Sequence, residues 1–167
     1  PPPIEREALS RKEIRRLFDE VESYRNRLIL VVAIETGARN SDIRCLRVED
    51  VSVDEGLIHF RDPKGSRSYD VPISNNLVFE LEFWCKHHRG AYTTGQDAGY
   101  LFPSQHGGKL ESNGSLNRIV TGAADRAEIQ ETIGYTSLTD TDRERLNTDK
   151  ERLEWNRVTT HTLRHSY

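Results

Sequence analysis

The sequence has no methionine, two cysteines, five lysines among its 24 basic residues, and no long apolar run. Each scarcity excludes something. Without an uninterrupted apolar stretch of about twenty residues there is no membrane-spanning helix to expect, and nothing marks a secretory leader. Cys45 and Cys85 stand far apart with no C-x-x-C partner, which argues against a disulfide framework or a zinc ribbon and for reduced, cytoplasmic thiols. His161 and His165 have the i, i+4 spacing of a helical zinc pair, but Thr162 stands where a metalloprotease carries glutamate and no third ligand is apparent. No metal is expected. A Walker loop, G-x-G-x-x-G, H-E-x-x-H and G-x-S-x-G are all missing. The missing methionine, the opening Pro1-Pro2-Pro3 and a stop directly after a motif suggest a piece of a longer protein, with residues 1–7 as the remnant of a linker.

What is present suits one soluble domain of mixed class. The chain has 167 residues, 35% apolar and 31% charged, enough for a real core. Its net charge of −3 counts against a nucleic-acid partner only if charge is spread evenly. It is not. Residues 125–154 hold nine acids against five bases, a net of −4, so the remainder is +1 and a basic face can survive on the main body.

Taken in order, Ser10 and Glu13 form a capping box ahead of Ile14, Leu17, Phe18 and Val21 at helical spacing. A second helix, from about Arg25 to Glu35, is so apolar from Leu28 to Ile34 that it should be central and buried, with Gly37 ending it. Ser41 can cap a short third helix. Leu57–Phe60 and Ser68–Ile73 read as two strands around the turn Asp62-Pro63-Lys64-Gly65, which puts Lys64 at a hairpin tip between Arg61 and Arg67, a basic arm able to reach a backbone phosphate. Ser74 caps a helix that turns Leu77, Leu81, Trp84 and Cys85 inward, while His87 and His88 close it as surface residues. Tyr100–Pro103 is a short extended apolar segment, and a further helix starts near Ser112. Residues 130–157 are charged and weakly periodic; they read as an inserted surface loop or helix, with helix expected near Thr141 to Trp155. Thr159 or Thr160 caps the last helix.

On that last helix His161 and Arg164 share a face, so an imidazole and a guanidinium point at one spot. Guanidinium forks match phosphate oxygens, and imidazole trades protons near neutral pH. For H-x-x-R alone, a solvated helix end is the commoner meaning. Far upstream, Arg39 occupies the tight corner after Gly37, and Asp42 can brace its guanidinium while leaving one edge for a ligand. A plain structural Arg-Asp pair fits that corner equally well.

Five segments in this order are more specific than any one of them. Thr36-Gly-Ala-Arg39 running on to Asp50, Pro63-Lys64-Gly65, Val71-Pro72, Leu101-Phe-Pro103 and His161-Thr-Leu-Arg164-His165 together resemble the tyrosine recombinase (phage integrase) catalytic domain over residues 8–167. The resemblance implies a mainly α fold with a small antiparallel β-sheet (α+β). It implies an enzyme that cuts and rejoins double-stranded DNA through a phosphotyrosyl intermediate, working as a homo-oligomer on DNA without metal or cofactor. By the same resemblance Arg39 and Arg164 clamp the scissile phosphate, Lys64 protonates the leaving 5′ hydroxyl, His161 assists proton transfer at the tyrosine, and Asp42 buttresses Arg39. The family's nucleophilic tyrosine lies beyond H-x-L-R-H, and Tyr167 aligns with a core aromatic that follows that motif, so this polypeptide alone is expected not to cleave DNA. Two other readings keep the same clamp: a noncatalytic DNA-binding accessory protein, and a type IB topoisomerase relative.

Overall fold

In the computed structural model, which describes residues 8–62 and 67–165, seven helices and five short strands follow one another as α1 (Arg11–Asp19), α2 (Tyr24–Thr36), α3 (Asn40–Arg44), β1 (Val51–Ser52), β2 (Leu57–Phe60), β3 (Tyr69–Pro72), α4 (Asn75–His87), α5 (Asn113–Arg126), β4 (Thr132–Ser137), α6 (Asp140–Leu146), β5 (Arg152–Asn156) and α7 (Thr160–His165). The fold is α+β, as expected. The capping box forms in full: Ser10 Oγ accepts from the Glu13 amide at 3.2 Å, and the Glu13 carboxylate accepts from the Ser10 amide at 3.1 Å. Ser74 caps α4 in the same way, accepting from the Leu77 amide at 3.1 Å.

Helix α2 is apolar all round because it is walled on both sides. Leu28, Ile29, Val32 and Ala33 pack into one core with Ile43, Leu46, Ile58, Phe60, Leu81, Trp84, Leu101 and Phe102. Leu30 faces the other way, into a second core with Leu17, Val120, Ala123, Val158 and Leu163. Each buried leucine or isoleucine contributes roughly 1.5–3 kcal/mol by leaving water. Trp84 satisfies its indole N–H on the Leu101 carbonyl at 2.8 Å, which fixes the extended 100–103 segment against α4. The final helix α7 is therefore held in place by Val158 and Leu163, both fully buried in the second core.

Strands β1, β2 and β3 form one antiparallel sheet in that order, with Ile58 opposite Val71 and Phe60 opposite Tyr69. The expected tip of this hairpin, including Lys64, lies outside the described residues. The 130–157 segment differs from expectation. It is a two-stranded antiparallel hairpin, β4 with β5, carrying the short helix α6 at its far end, where a loop or a helix from Thr141 to Trp155 was anticipated. Asn147, in the left-handed region at φ 50°, stops α6, and Arg152-Leu-Glu-Trp-Asn alternates polar and apolar with the period of a strand. With no residue of either strand buried, that two-residue period has no core face to mark it.

The base of this hairpin is pinned to the body. Gln130 exchanges hydrogen bonds with the Val158 backbone at 2.8 Å each, and Arg157 reaches across to Glu13 of α1 at 2.5 and 3.1 Å. The Arg157 hydrogen bond holds the Glu13 carboxyl down at about 2. A carboxylate depressed in the folded state stabilises it above the unfolded pKa, near 4.5, and that contribution is lost as pH falls towards 2. Glu13→Gln is accordingly expected to flatten the decline of thermal stability between about pH 4.5 and 2 relative to the unaltered chain; superimposable melting curves across that window would show that the pair carries no linkage.

Candidate active site

Helix α2 stops because Gly37 turns left-handed, at φ 63°, with its amide bonded to Ala33 O at 3.0 Å. Thr36 supports the turn from inside, its hydroxyl donating to Val32 O at 2.6 Å and accepting from the Ala38 amide at 3.2 Å. Arg39 itself is the N-cap of α3, in extended backbone, and Ser41 lies within the helix and does not cap it. On the other side, the Thr162 hydroxyl, fully buried, accepts from the Thr159 amide and donates to Arg157 O, which shapes the entry into α7. The two halves then meet: Arg164 Nε donates to the Gly37 carbonyl at 2.9 Å.

That bond spends one edge of the Arg164 guanidinium and leaves its terminal N–H groups without a hydrogen bond among the described residues. Arg39 is exposed and has no hydrogen bond or ion pair among them. Both arginines line one cavity of about 730 Å³ together with Asp42, Arg61, Arg67 and Tyr69. Both also border an adjoining hollow of about 320 Å³ that holds His161 and Asn117. Of the residues singled out from the sequence, Arg39, Arg164, Asp42, Arg61, Arg67 and His161 are thus brought around one place; Lys64 is not among the described residues. Such a concentration of guanidinium groups suits a multiply charged oxyanion, and phosphate in particular. Among the described residues no three His, Cys, Asp or Glu side chains converge so as to hold a metal ion, and no helix is long and apolar enough to cross a membrane.

Two expectations need correcting. Asp42 does not brace Arg39. Its Oδ2 accepts from the Tyr69 hydroxyl at 3.0 Å, a partner that reaches it from β3 and that local sequence spacing could not reveal. Arg61 is also less free than an arm at a hairpin tip would be: its Nε lies 2.8 Å from Asp50 Oδ1, because Asp50 is nearly buried beside the Arg47 amide and needs a countercharge. Burial, followed by the Asp42 carboxylate that it bonds, pushes the Tyr69 phenol up to about 12, against the opposing pull of Arg164 and Arg39. Tyr69 therefore stays a protonated donor at working pH.

Four site-building residues are not expected at the site from the sequence, where Thr160 reads only as a candidate helix cap. Arg44, nearly buried, donates to Asn40 Oδ1 at 2.8 Å and to Leu110 O at 3.0 Å. Asn40 contacts the Thr160 hydroxyl at 3.5 Å, and that hydroxyl donates to Asn117 Oδ1 at 2.5 Å, with the Thr160 amide adding a second bond at 3.2 Å. This chain of polar side chains ties α3, α5 and α7 together directly behind the two arginines, and each bond of this kind contributes about 1 kcal/mol net.

The model of the phage integrase family matches residues 7–167. The chain belongs to the phage integrase family. Among its relatives, the tyrosine recombinase XerA of Pyrococcus horikoshii is 30% identical over 95 residues, which is 57% of this chain and 31% of that protein. A crystal structure of XerA recombinase aligns with a TM-score of 0.72 and 24% identity, over 99% of this chain and 50% of that one. Lambda integrase bound to DNA aligns with a TM-score of 0.64 and 17% identity, over 99% of this chain and 51% of that one. At those identities the two solved structures speak for the fold. The chain thus spans about a third of the curated relative's length and half of the XerA structure's. Among the described residues, Arg39 and Arg164 present guanidinium N–H groups without a hydrogen-bond partner to one opening, which Arg67 also lines.

Proposed function

We propose that this chain is the phosphate-gripping catalytic domain of a site-specific DNA recombinase, which cuts and rejoins duplex DNA through a phosphotyrosyl intermediate. The observation that carries this reading is the meeting of Arg39 and Arg164 on one cavity, although they come from opposite ends of the chain. Attack on a phosphodiester gathers negative charge on its nonbridging oxygens, and two preoriented guanidinium groups stabilise that charge as it develops. His161, in the adjoining hollow, trades a proton at the attacking tyrosine; Lys64 gives one to the departing 5′ hydroxyl. Asp42 acts at the edge of the clamp through Tyr69, and Arg61 and Arg67 meet flanking backbone phosphates. No metal or cofactor enters this scheme. The working enzyme assembles as a homo-oligomer on DNA in the cytoplasm; lambda integrase has been solved as a dimer bound to a COC′ core site. Family membership and recombinase relatives favour this reading over an accessory DNA-binding protein or a type IB topoisomerase relative.

Binding to duplex DNA tests it directly. The logarithm of the association constant is expected to fall linearly with the logarithm of salt concentration, and Arg67→Ala to reduce the slope by about 1 without changing preference among sequences. Salt-insensitive binding in a fluorescence anisotropy titration would contradict a contact led by phosphates.

A further inference from the structure

Asp42 stands at the third position of α3 and Arg39 at its cap, a spacing at which carboxylate and guanidinium ordinarily find each other. They are not paired here, and the reason lies in β3. The Tyr69 ring stacks on the buried Phe60 ring, with centroids 5.0 Å apart and planes 19° from parallel, which fixes where its hydroxyl falls. That hydroxyl meets Asp42 Oδ2 at 3.0 Å, and Tyr69 lines the same cavity as both arginines.

We propose that Tyr69 is a positioning residue of the phosphate cavity, its hydroxyl holding the Asp42 carboxylate off Arg39 so that the Arg39 guanidinium remains available to a DNA phosphate. The inference rests on the reading that Arg39 and Arg164 grip that phosphate. In physical terms, an anion already attached to Arg39 competes with the incoming one. A carboxylate on Arg39 would occupy one of its edges and offset its charge, leaving less of both to a phosphate. The hydroxyl removes this competition by giving the carboxylate another partner, and the Asp42 charge remains in the cavity without closing it.

The experiment compares binding of fluorescein-labelled duplex DNA by the unaltered chain, Tyr69→Phe, the double variant Tyr69→Phe with Asp42→Asn, Arg39→Ala and Arg164→Ala. Phenylalanine preserves the stack on Phe60 and removes only the hydroxyl. Tyr69→Phe is expected to weaken binding roughly three- to fivefold, the range over which an exposed ion pair competes, and the added Asp42→Asn to restore it, because an amide does not capture Arg39. A purely structural tyrosine would not be rescued in this way. Unchanged binding in Tyr69→Phe, or a loss that Asp42→Asn fails to restore, overturns the inference while the phosphate reading stands, provided both arginine variants bind more weakly. If neither arginine variant weakens binding, the phosphate reading falls and the inference with it. Melting curves taken alongside identify a variant that has not folded, and in that case Tyr69→Trp, which keeps a stacking ring and lacks the hydroxyl, takes its place with the same outcomes.

Discussion

Alanine at Arg164 is expected to lower DNA cleavage by about 10²–10³-fold in a polypeptide that carries the nucleophilic tyrosine, and alanine at Arg39 to do the same. The magnitude follows from the role proposed for each guanidinium. A preorganised donor aimed at developing oxyanion charge in a water-poor site is worth about 3–4 kcal/mol, far more than a surface ion pair. Within that range Arg164 is expected towards the upper end, because its Nε bond to Gly37 O fixes the direction of its other edge. Lysine at position 164 should rescue little: it offers a point charge where the site uses a fork with one edge spent on a carbonyl. If they act on one charge, removing both arginines should cost less than the sum of the single losses. Covalent protein–DNA adducts on a nicked substrate measure the effect, and melting curves check the fold, from which Arg164→Ala removes one hydrogen bond worth about 1 kcal/mol. Adduct formation at the unaltered rate by either variant would remove that arginine from the site.

Alanine at Lys64 is expected to slow cleavage of ordinary DNA by about 10²–10⁴-fold, the range of general acid catalysis, and to leave almost untouched the cleavage of a strand whose leaving 5′ oxygen is replaced by sulfur. A thiolate departs without a proton; an alkoxide does not. The comparison therefore separates proton delivery from simple charge attraction, because a lysine that only neutralised phosphate would be missed equally with both substrates. Equal losses on oxygen and sulfur would end the assignment of Lys64 as the acid. His161, which borders a hollow with the two arginines, provides the internal contrast: if it serves the attacking tyrosine, its loss should be felt equally with both leaving groups.

Much of this molecule can be read without coordinates, and the part that cannot has a common cause. Elements announced by local chemistry were legible: the capping box at Ser10 and Glu13, the apolar run of α2, the Gly37 stop, the Ser74 cap and the β2–β3 pair all depend on residues within a few positions of each other. Arg39 and Arg164 were legible as candidates because each sits in a short motif at a helix end. What pairs with them was not. Asp42 finds Tyr69 and Arg61 finds Asp50, partners supplied by other elements, and the Arg44, Asn40, Thr160 and Asn117 chain spans three helices. The β4–β5 hairpin was lost for a different reason: alternation of period two is a weak signal when no residue of either strand is buried and neither face has a core to display it.

One peptide unit does two jobs at the centre of the site. The Gly37 carbonyl belongs to the turn that ends α2 and also seats Arg164, so one covalent corner, two residues from Arg39, helps to gauge the separation of the two jaws. Any side chain at position 37 that forced the corner out of its left-handed turn would therefore throw both jaws out of true at once.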